Sequence, residues 1–214
     1  MQDIIIVCAG SVATEVYTVI RQINKCEVEK GRPERYHILG FLSDIPDSLD
    51  KYPYIKLPIL GDITNWKPIG NEKYVLANAT PKSKVKIVEL LKRRGCIFET
   101  LIAPNTFIGE NVEIGEGCFI TAFSIGAGIK IGDFVNIMGS MIGGSAEIGD
   151  YSTTLGFTNV AGGKLGKRVY VGSHAVILDV SVGDDAFVAV GSIVVKNVKS
   201  GVKVFGNPAK RVDW

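Results

Sequence analysis

Aliphatic residues recur along the second half of the chain with a period that suits neither a helix nor a lone strand. Ile114, Ile131, Ile148, Leu165 and Val182 lie 17 residues apart, and each is followed by glycine. Ile120, Ile137, Thr154, Val171 and Val188 keep the same spacing, and Ile108, Ile125 and Ile142 begin a third column. The 17 residues split as six, six and five, which is a hexapeptide repeat, and such a period marks a parallel β-helix. One aliphatic residue per hexad points inward and stacks on its copy about 4.8 Å along the axis. Glycine, asparagine and aspartate fill the corners, where a positive φ is tolerated. Three short strands per coil predict a three-sided prism. No 10–15-residue helical pattern separates these strands, so a βαβ arrangement is excluded for this half.

The first hundred residues follow a different pattern, alternating strand and helix signals. "DIIIVCA" (3–9) is a continuous apolar run, as expected of a strand buried on both faces of a parallel sheet. Gly10-Ser11 turns the chain, and Ser11 is placed to cap a helix through "VATEVYTVIRQIN". "YHILGFLSD" (36–44) reads as a second strand, "PYIKLPILGD" (53–62) as a proline-punctuated extended segment and "KYVLAN" (73–78) as a further strand. "KSKVKIVELLKRRG" (82–95) has apolar positions at Val85, Ile87, Leu90 and Leu91 and predicts an amphipathic helix with a solvated basic face. A phosphate-binding role for it is the weaker alternative. Together these make a βαβ-type unit.

Composition narrows the function classes. Of 214 residues, 46% are hydrophobic and 21% charged, a soluble globular balance. A net charge of +2 and no basic stripe interleaved with aromatics argue against a nucleic-acid partner. Cys8, Cys26, Cys96 and Cys118 form no CxxC pair, which argues against a zinc knuckle and fits free thiols in a reducing cytoplasm. "MQDIIIVCAG" lacks the basic start and apolar length of a signal peptide. No apolar stretch approaches the roughly 18–20 residues that span a membrane. Hence the expectation is a cytoplasmic protein without a metal.

Several phrases resemble a known family. "IGENVEIGEGCFI", "IGDFVNI", "IGDYSTT", "VGDDAFVAVGSIVVKNVKSGVKVFGNPAKRV" and the ending "GNPAK" (206–210) are similar to hexapeptide-repeat acyltransferases with a left-handed β-helix. "GFLSD" (40–44), "LPILGD" (57–62) and "LIAPNTFIG" (101–109) resemble the branch of sialic-acid O-acetyltransferases and nucleotide-amino-sugar N-acetyltransferases. The resemblance covers essentially the whole chain. It implies a Rossmann-like α/β nucleotide-sugar-binding domain over residues 1–100 and a left-handed β-helix acyltransferase domain with a short tail over residues 101–214. It further implies a homotrimer, with acetyl-CoA as co-substrate in the groove between neighbouring β-helices. A nucleotide sugar, often UDP-linked, is expected on the N-terminal domain.

Position by position, the resemblance assigns "CAGSVA" (8–13), with Gly10, Ser11 and Ala13, to the diphosphate loop. Asp44 falls at an acidic position that meets the nucleoside, and Ile59 in a substrate segment. Gly162 matches the backbone N–H that holds the thioester oxygen, while Ser173 and Gly191 match positions lining the coenzyme arm. Each has a plainer reading beside it. Gly10 and Ser11 also read as a turn and cap, Asp44 as a strand end, Gly162 as a corner glycine and Ser173 as a turn residue.

The family's base is missing. Where relatives carry a histidine followed by an acidic residue, this chain has Gly144 and Ser145; Val12 and Ala103 replace two further family histidines. Only His37 and His174 remain. His37 reads as structural. His174 reads as a surface or coenzyme-lining residue, with an acid–base role as the lesser alternative. Glu147 and Asp150 read as solvated corner residues. A positioned general base contributes roughly 10²–10⁴-fold. A sugar hydroxyl needs that help. An amine with a pKa near ~8 is neutral about a tenth of the time at pH 7. The absent histidine therefore favours an amino-sugar acceptor in surface-glycan synthesis. The alternatives are an O-acetyltransferase with a relocated base and a catalytically silent nucleotide-sugar-binding relative. A trimeric metal hydratase needs three histidine ligands, and an NAD enzyme needs a GxGxxG run that "CAGSVA" lacks.

Overall fold

A computed structural model describes residues 1–213. The chain divides into two compact units, Met1–Ala79 with Ser83–Pro104, and Thr80–Lys82 with the chain from Asn105 onward.

The first unit holds β1 (Gln2–Val7), α1 (Ser11–Glu29), β2 (Tyr36–Leu42), β3 (Ile59–Gly61), β4 (Lys73–Leu76), α2 (Pro81–Lys92) and β5 (Ile97–Phe98). Its sheet is parallel, in the order β3-β2-β1-β4-β5. The apolar run falls on the central strand, and Ile4, Ile5, Ile6 and Val7 are fully buried. Prolines 53 and 58 leave the 53–62 segment only three residues of strand, because proline cannot donate to a ladder. Gly40 sits at φ +157° beside a register shift between β1 and β2, and a Cβ there would lie 2.5 Å from the Pro58 carbonyl oxygen. Ser11 does not cap α1. Gly10 occupies the cap position without a side-chain bond, and Ser11 is already the first helical residue.

The second unit is a parallel β-solenoid. Ile114, Ile131, Ile148, Leu165 and Val182 pair in register along one face. Ile120, Ile137, Thr154, Val171 and Val188 do so along a second. The third column runs Ile108, Ile125, Ile142 and continues through Val160, Ile177 and Val194. The step from Ile142 to Val160 is 18 residues, because the five-residue side of the coil moves to the next corner there. Thr154 keeps its inward slot because its hydroxyl meets Ser140 Oγ at 3.0 Å.

The repeated glycine has a packing cause. The Oδ1 atoms of Asp133, Asp150 and Asp184 occupy the space that a Cβ on Gly115, Gly132 and Gly166 of the preceding coil would need. Each of these oxygens accepts a backbone N–H from that coil, at Glu116 (3.0 Å), Asp133 (3.1 Å) and Lys167 (2.9 Å). The residues at positive φ also stack. Gly117, Phe134, Tyr151, Arg168 and Asp185 follow one another at one corner every 17 residues. Phe134 and Tyr151 rings lie 5.3 Å apart, and Arg168 grips Asp185 through two bonds of 2.8 and 2.7 Å.

Candidate functional site

In open parallel sheets a ligand binds beyond the carboxyl ends of the strands, where the connections diverge to opposite sides. Here that point lies between β1 and β4, from which the chain runs outward both ways. The chain leaves β1 through Cys8, held at φ +78°, and enters α1 at Gly10. A cleft of about 650 Å³ opens at this place, lined among others by Gly10, Asp44, Asp47, Lys51, Asn78 and Lys86. The start of a 19-residue helix and two lysines give it the makings of an anion site. Burial pushes the Cys8 thiol up, against a weak bond from the Asn78 amide at 3.8 Å.

Asp44 does double service. Its Oδ1 accepts the backbone N–H of Ile63 (2.8 Å) and Thr64 (3.2 Å), which pins the turn after β3. The carboxylate is exposed, so its remaining lone pairs face the cleft. Of the other residues expected here, Gly10 lines the cleft and Ser11 is exposed beside it. Ala13 is fully buried in α1, which makes it a packing position and no ligand contact. Ile59 lies in β3 and is not part of the lining. Lys51, Asp47 and Asn78 went unremarked in the sequence because loop residues carry no periodic signal. Lys86 belongs to the basic run read as a solvated face. A broader groove of about 1090 Å³ runs past Tyr17, Arg21, Tyr54 and His37. It lies at the opening half of β2, away from the strand ends. His37 is exposed there and bonded to Asp3 Oδ1 at 2.8 Å, so it is a surface residue and not part of the core.

The solenoid separates its candidates into two corners. Gly144 (φ +61°), Gly162 (φ +67°) and Asp179 (φ +47°) follow one another at one corner. Ser173, His174 and Gly191 gather at another, where Gly191 N–H donates to the Ser173 carbonyl at 2.9 Å. His174 is exposed and stacks on Phe157 with ring centroids 5.0 Å apart. Five residues and one strand separate it from Asp179, roughly 16 Å at strand rise. His174 therefore does not reach the Gly144 corner. At that corner the Gly162 N–H is already engaged, donating to the Gly143 carbonyl at 3.0 Å. Glu147 pairs with Lys164 (2.9 Å) and Asp150 with Lys167 (2.8 Å). Burial opposes the charge on Asp150, but the Lys167 ammonium and the Asp133 amide hold its carboxyl below the usual range. Both carboxylates are thus committed to the coil ladder.

Among the described residues, no group of three or more His, Cys, Asp or Glu is placed to hold a metal ion, and no helix is long and apolar enough to cross a membrane.

No protein-family model matches the chain, and no curated protein matches it by sequence. Solved structures do. WeeI from Acinetobacter baumannii AYE is 28% identical and superposes with a TM-score of 0.77 over 99% of this chain and 100% of its own. The acetyltransferase domain of PglB from Neisseria gonorrhoeae FA1090 is 17% identical, with a TM-score of 0.79 over 99% and 100%. A histidine-to-alanine variant of GDP-perosamine N-acetyltransferase from Caulobacter crescentus, in complex with CoA and GDP-perosamine, is 20% identical, with a TM-score of 0.83 over 100% and 98%. The chain has the fold of these β-solenoid acetyltransferases, in agreement with the resemblance carried by its repeats.

Proposed function

We propose that the protein is an acetyl-CoA-dependent N-acyltransferase acting on a nucleotide-linked amino sugar in surface-glycan synthesis in the cytoplasm. In this reading residues 1–100 form a Rossmann-like domain that takes the nucleotide, and residues 101–214 a left-handed β-helix that takes the coenzyme. One observation carries it. A single chain joins a cleft with cations and a helix N-terminus, at the divergence point of a parallel sheet, to a solenoid. Full-length solved chains of this fold include one that holds CoA and GDP-perosamine. Gly10 with Ser11 and Lys86 meets the diphosphate, and Asp44 and Asp47 accept bonds from the nucleoside. Ser173 and Gly191 line the coenzyme arm.

The acceptor is an amine because the corner at Gly144 offers no histidine to deprotonate a hydroxyl. The titled Caulobacter variant lacks a histidine and still holds both ligands, so in that protein both sites bind without it. The Gly162 N–H meets the thioester oxygen only by leaving or sharing the Gly143 carbonyl. This engaged amide is also the observation that favours a second reading, a relative that binds nucleotide sugar without turnover.

A homotrimer fits the surface. Phe107, Phe123, Met141, Phe157 and Leu178 are exposed on and beside one solenoid face, and an apolar patch of this kind calls for a partner. Sedimentation equilibrium tests that state. The decisive assay is thiol release from acetyl-CoA against a panel of nucleotide-linked amino sugars and their hydroxyl counterparts. Release with amines and not with hydroxyls is expected. Release with hydroxyls alone, or with neither, overturns the reading.

A further inference from the structure

The corner that lacks the histidine is not bare of chemistry. Asp179 stands in the same corner stack as Gly144 and Gly162, and its Oδ1 lies over Gly162, in the space a Cβ there would fill. The absent Cβ at Gly162 is what admits the carboxylate. Its backbone is fixed at φ +47° by an N–H bond to the Ala161 carbonyl at 2.8 Å. The carboxylate is thereby turned back along the stack toward Gly144.

Comparison with the other aspartates shows what is unusual. Asp133, Asp150 and Asp184 also lie over a glycine of the preceding coil, and each accepts a backbone N–H from that coil. Asp150 adds an ion pair to Lys167, and Asp184 lies 3.9 Å from Arg168. The Asp179 carboxylate has neither kind of partner among the described residues. The amide it covers, Gly162 N–H, points to Gly143 instead. The same packing device thus holds a carboxylate that the coil ladder does not use.

We propose, resting on the N-acyltransferase reading, that Asp179 is the catalytic carboxylate of this site and accepts the proton of the attacking amine. The amine nitrogen forms its bond to the thioester carbonyl carbon and becomes cationic, while the carbonyl oxygen becomes anionic. Asp179 takes one N–H proton from that nitrogen. The intermediate collapses, the C–S bond breaks with its electron pair on sulfur, and the proton passes to that sulfur. Amide and free CoA thiol result, and Asp179 is again a carboxylate. This role also selects the acceptor, because a carboxylate attracts an ammonium group and orients it before it reacts, whereas a hydroxyl gains no such attraction.

The test uses the full chain and three forms: wild type, Asp179→Asn and Asp179→Gly. Asparagine keeps the shape and tolerates positive φ, and glycine takes that φ without strain. Thiol release is measured with the amino-sugar substrate found for the wild type, and binding of CoA and of that substrate by calorimetry. Expected is a fall in kcat of about 10²–10⁴-fold in both variants, with CoA affinity unchanged. Asp179→Glu should recover part of the rate. Wild-type kcat in either variant overturns the role of Asp179 and leaves the N-acyltransferase reading standing. Absence of thiol release by the wild type with every acceptor overturns that reading and this one together.

Discussion

Replacing Gly132 by alanine should unfold the solenoid far more readily than the same change at Gly156, although both are repeat glycines. A Cβ at Gly132 would lie 2.9 Å from the Asp150 backbone nitrogen and 3.2 Å from its Cα, and it would collide with Asp150 Oδ1. Backbone atoms cannot swing aside, so the coil spacing must give locally, at about 1–3 kcal/mol. Displacing Oδ1 also removes its bond from the Asp133 N–H (3.1 Å), a contact to a charged group worth about 1.5–3 kcal/mol. Together these give roughly 2–5 kcal/mol, once overlap between the two effects is allowed for. Gly128 has open space but φ +69°, so alanine there costs about 1–2 kcal/mol from conformation alone. Gly156 has open space and no left-handed φ. Alanine there should be neutral or stabilise by up to about 1 kcal/mol. The assay is urea unfolding by far-UV circular dichroism at one fixed protein concentration, since association shifts apparent stability. Hydrogen exchange in the strand Asn136–Met138 localises the effect. Combining Gly132→Ala with Asp150→Ala should cost less than the sum of the two singles, because part of the clash leaves with the carboxylate. Equal midpoints for Gly132→Ala and Gly156→Ala would refute the account of why glycine follows the inward aliphatic residue.

Restoring the family histidine, Gly144→His, should lower stability by about 1–3 kcal/mol without raising turnover, because a Cβ there lies 2.7 Å from the Gly162 nitrogen at φ +61°; thermal unfolding and thiol release check both parts, and a rate gain at unchanged Tm would contradict it. Cys8 should react slowly with a thiol reagent near neutrality, since burial raises its pKa, and faster as pH rises; added nucleoside diphosphate should protect it if the cleft is the nucleotide site, and peptide mass mapping reads both effects. The Glu99 carboxyl titrates below its ordinary value of 4.5 in the folded unit: burial alone would raise it, but bonds from Lys73 and Tyr36 outweigh that. A depressed folded value means the stabilisation is fully present above pH 4.5 and is lost as pH falls through the folded value, so Glu99→Gln should flatten the acid side of the stability–pH curve and leave its alkaline side unchanged.

What the sequence could say was set by how many residues share each task. The solenoid was legible because one physical demand, an inward aliphatic residue every coil, is repeated until a period emerges. The third column escaped beyond Ile142 because the five-residue side changes corner before Val160, so strict spacing loses a column that register retains. Ser11 followed cap chemistry correctly as a residue type, yet the backbone placed Gly10 one position earlier at the cap. Ala13 lay inside a matched loop phrase, but a phrase does not distinguish the face of a helix that meets ligand from the one that meets the core, and here the core claims it. Lys51 and Lys86 come together from a loop and a helix, a convergence with no one-dimensional signature.

The same limit explains Asp179. In the sequence it is one more acidic residue after a short strand, like the ladder aspartates that hold the coils. Its difference is relational. It covers a glycine whose amide is already spent on Gly143, and it covers it from a corner where the expected base is absent. A carboxylate supported by packing but left unbonded forgoes the roughly 1.5–3 kcal/mol that a charge-assisted bond would contribute. Three aspartates in the same solenoid take such a bond and this one does not. Glycine at 162 is therefore needed for a reason beyond turning the corner: any Cβ there would drive the Asp179 carboxylate out of the stack. It follows that Gly162→Ala should impair turnover through Asp179, so that adding it to Asp179→Asn costs little further rate, whereas two independent catalytic losses would multiply.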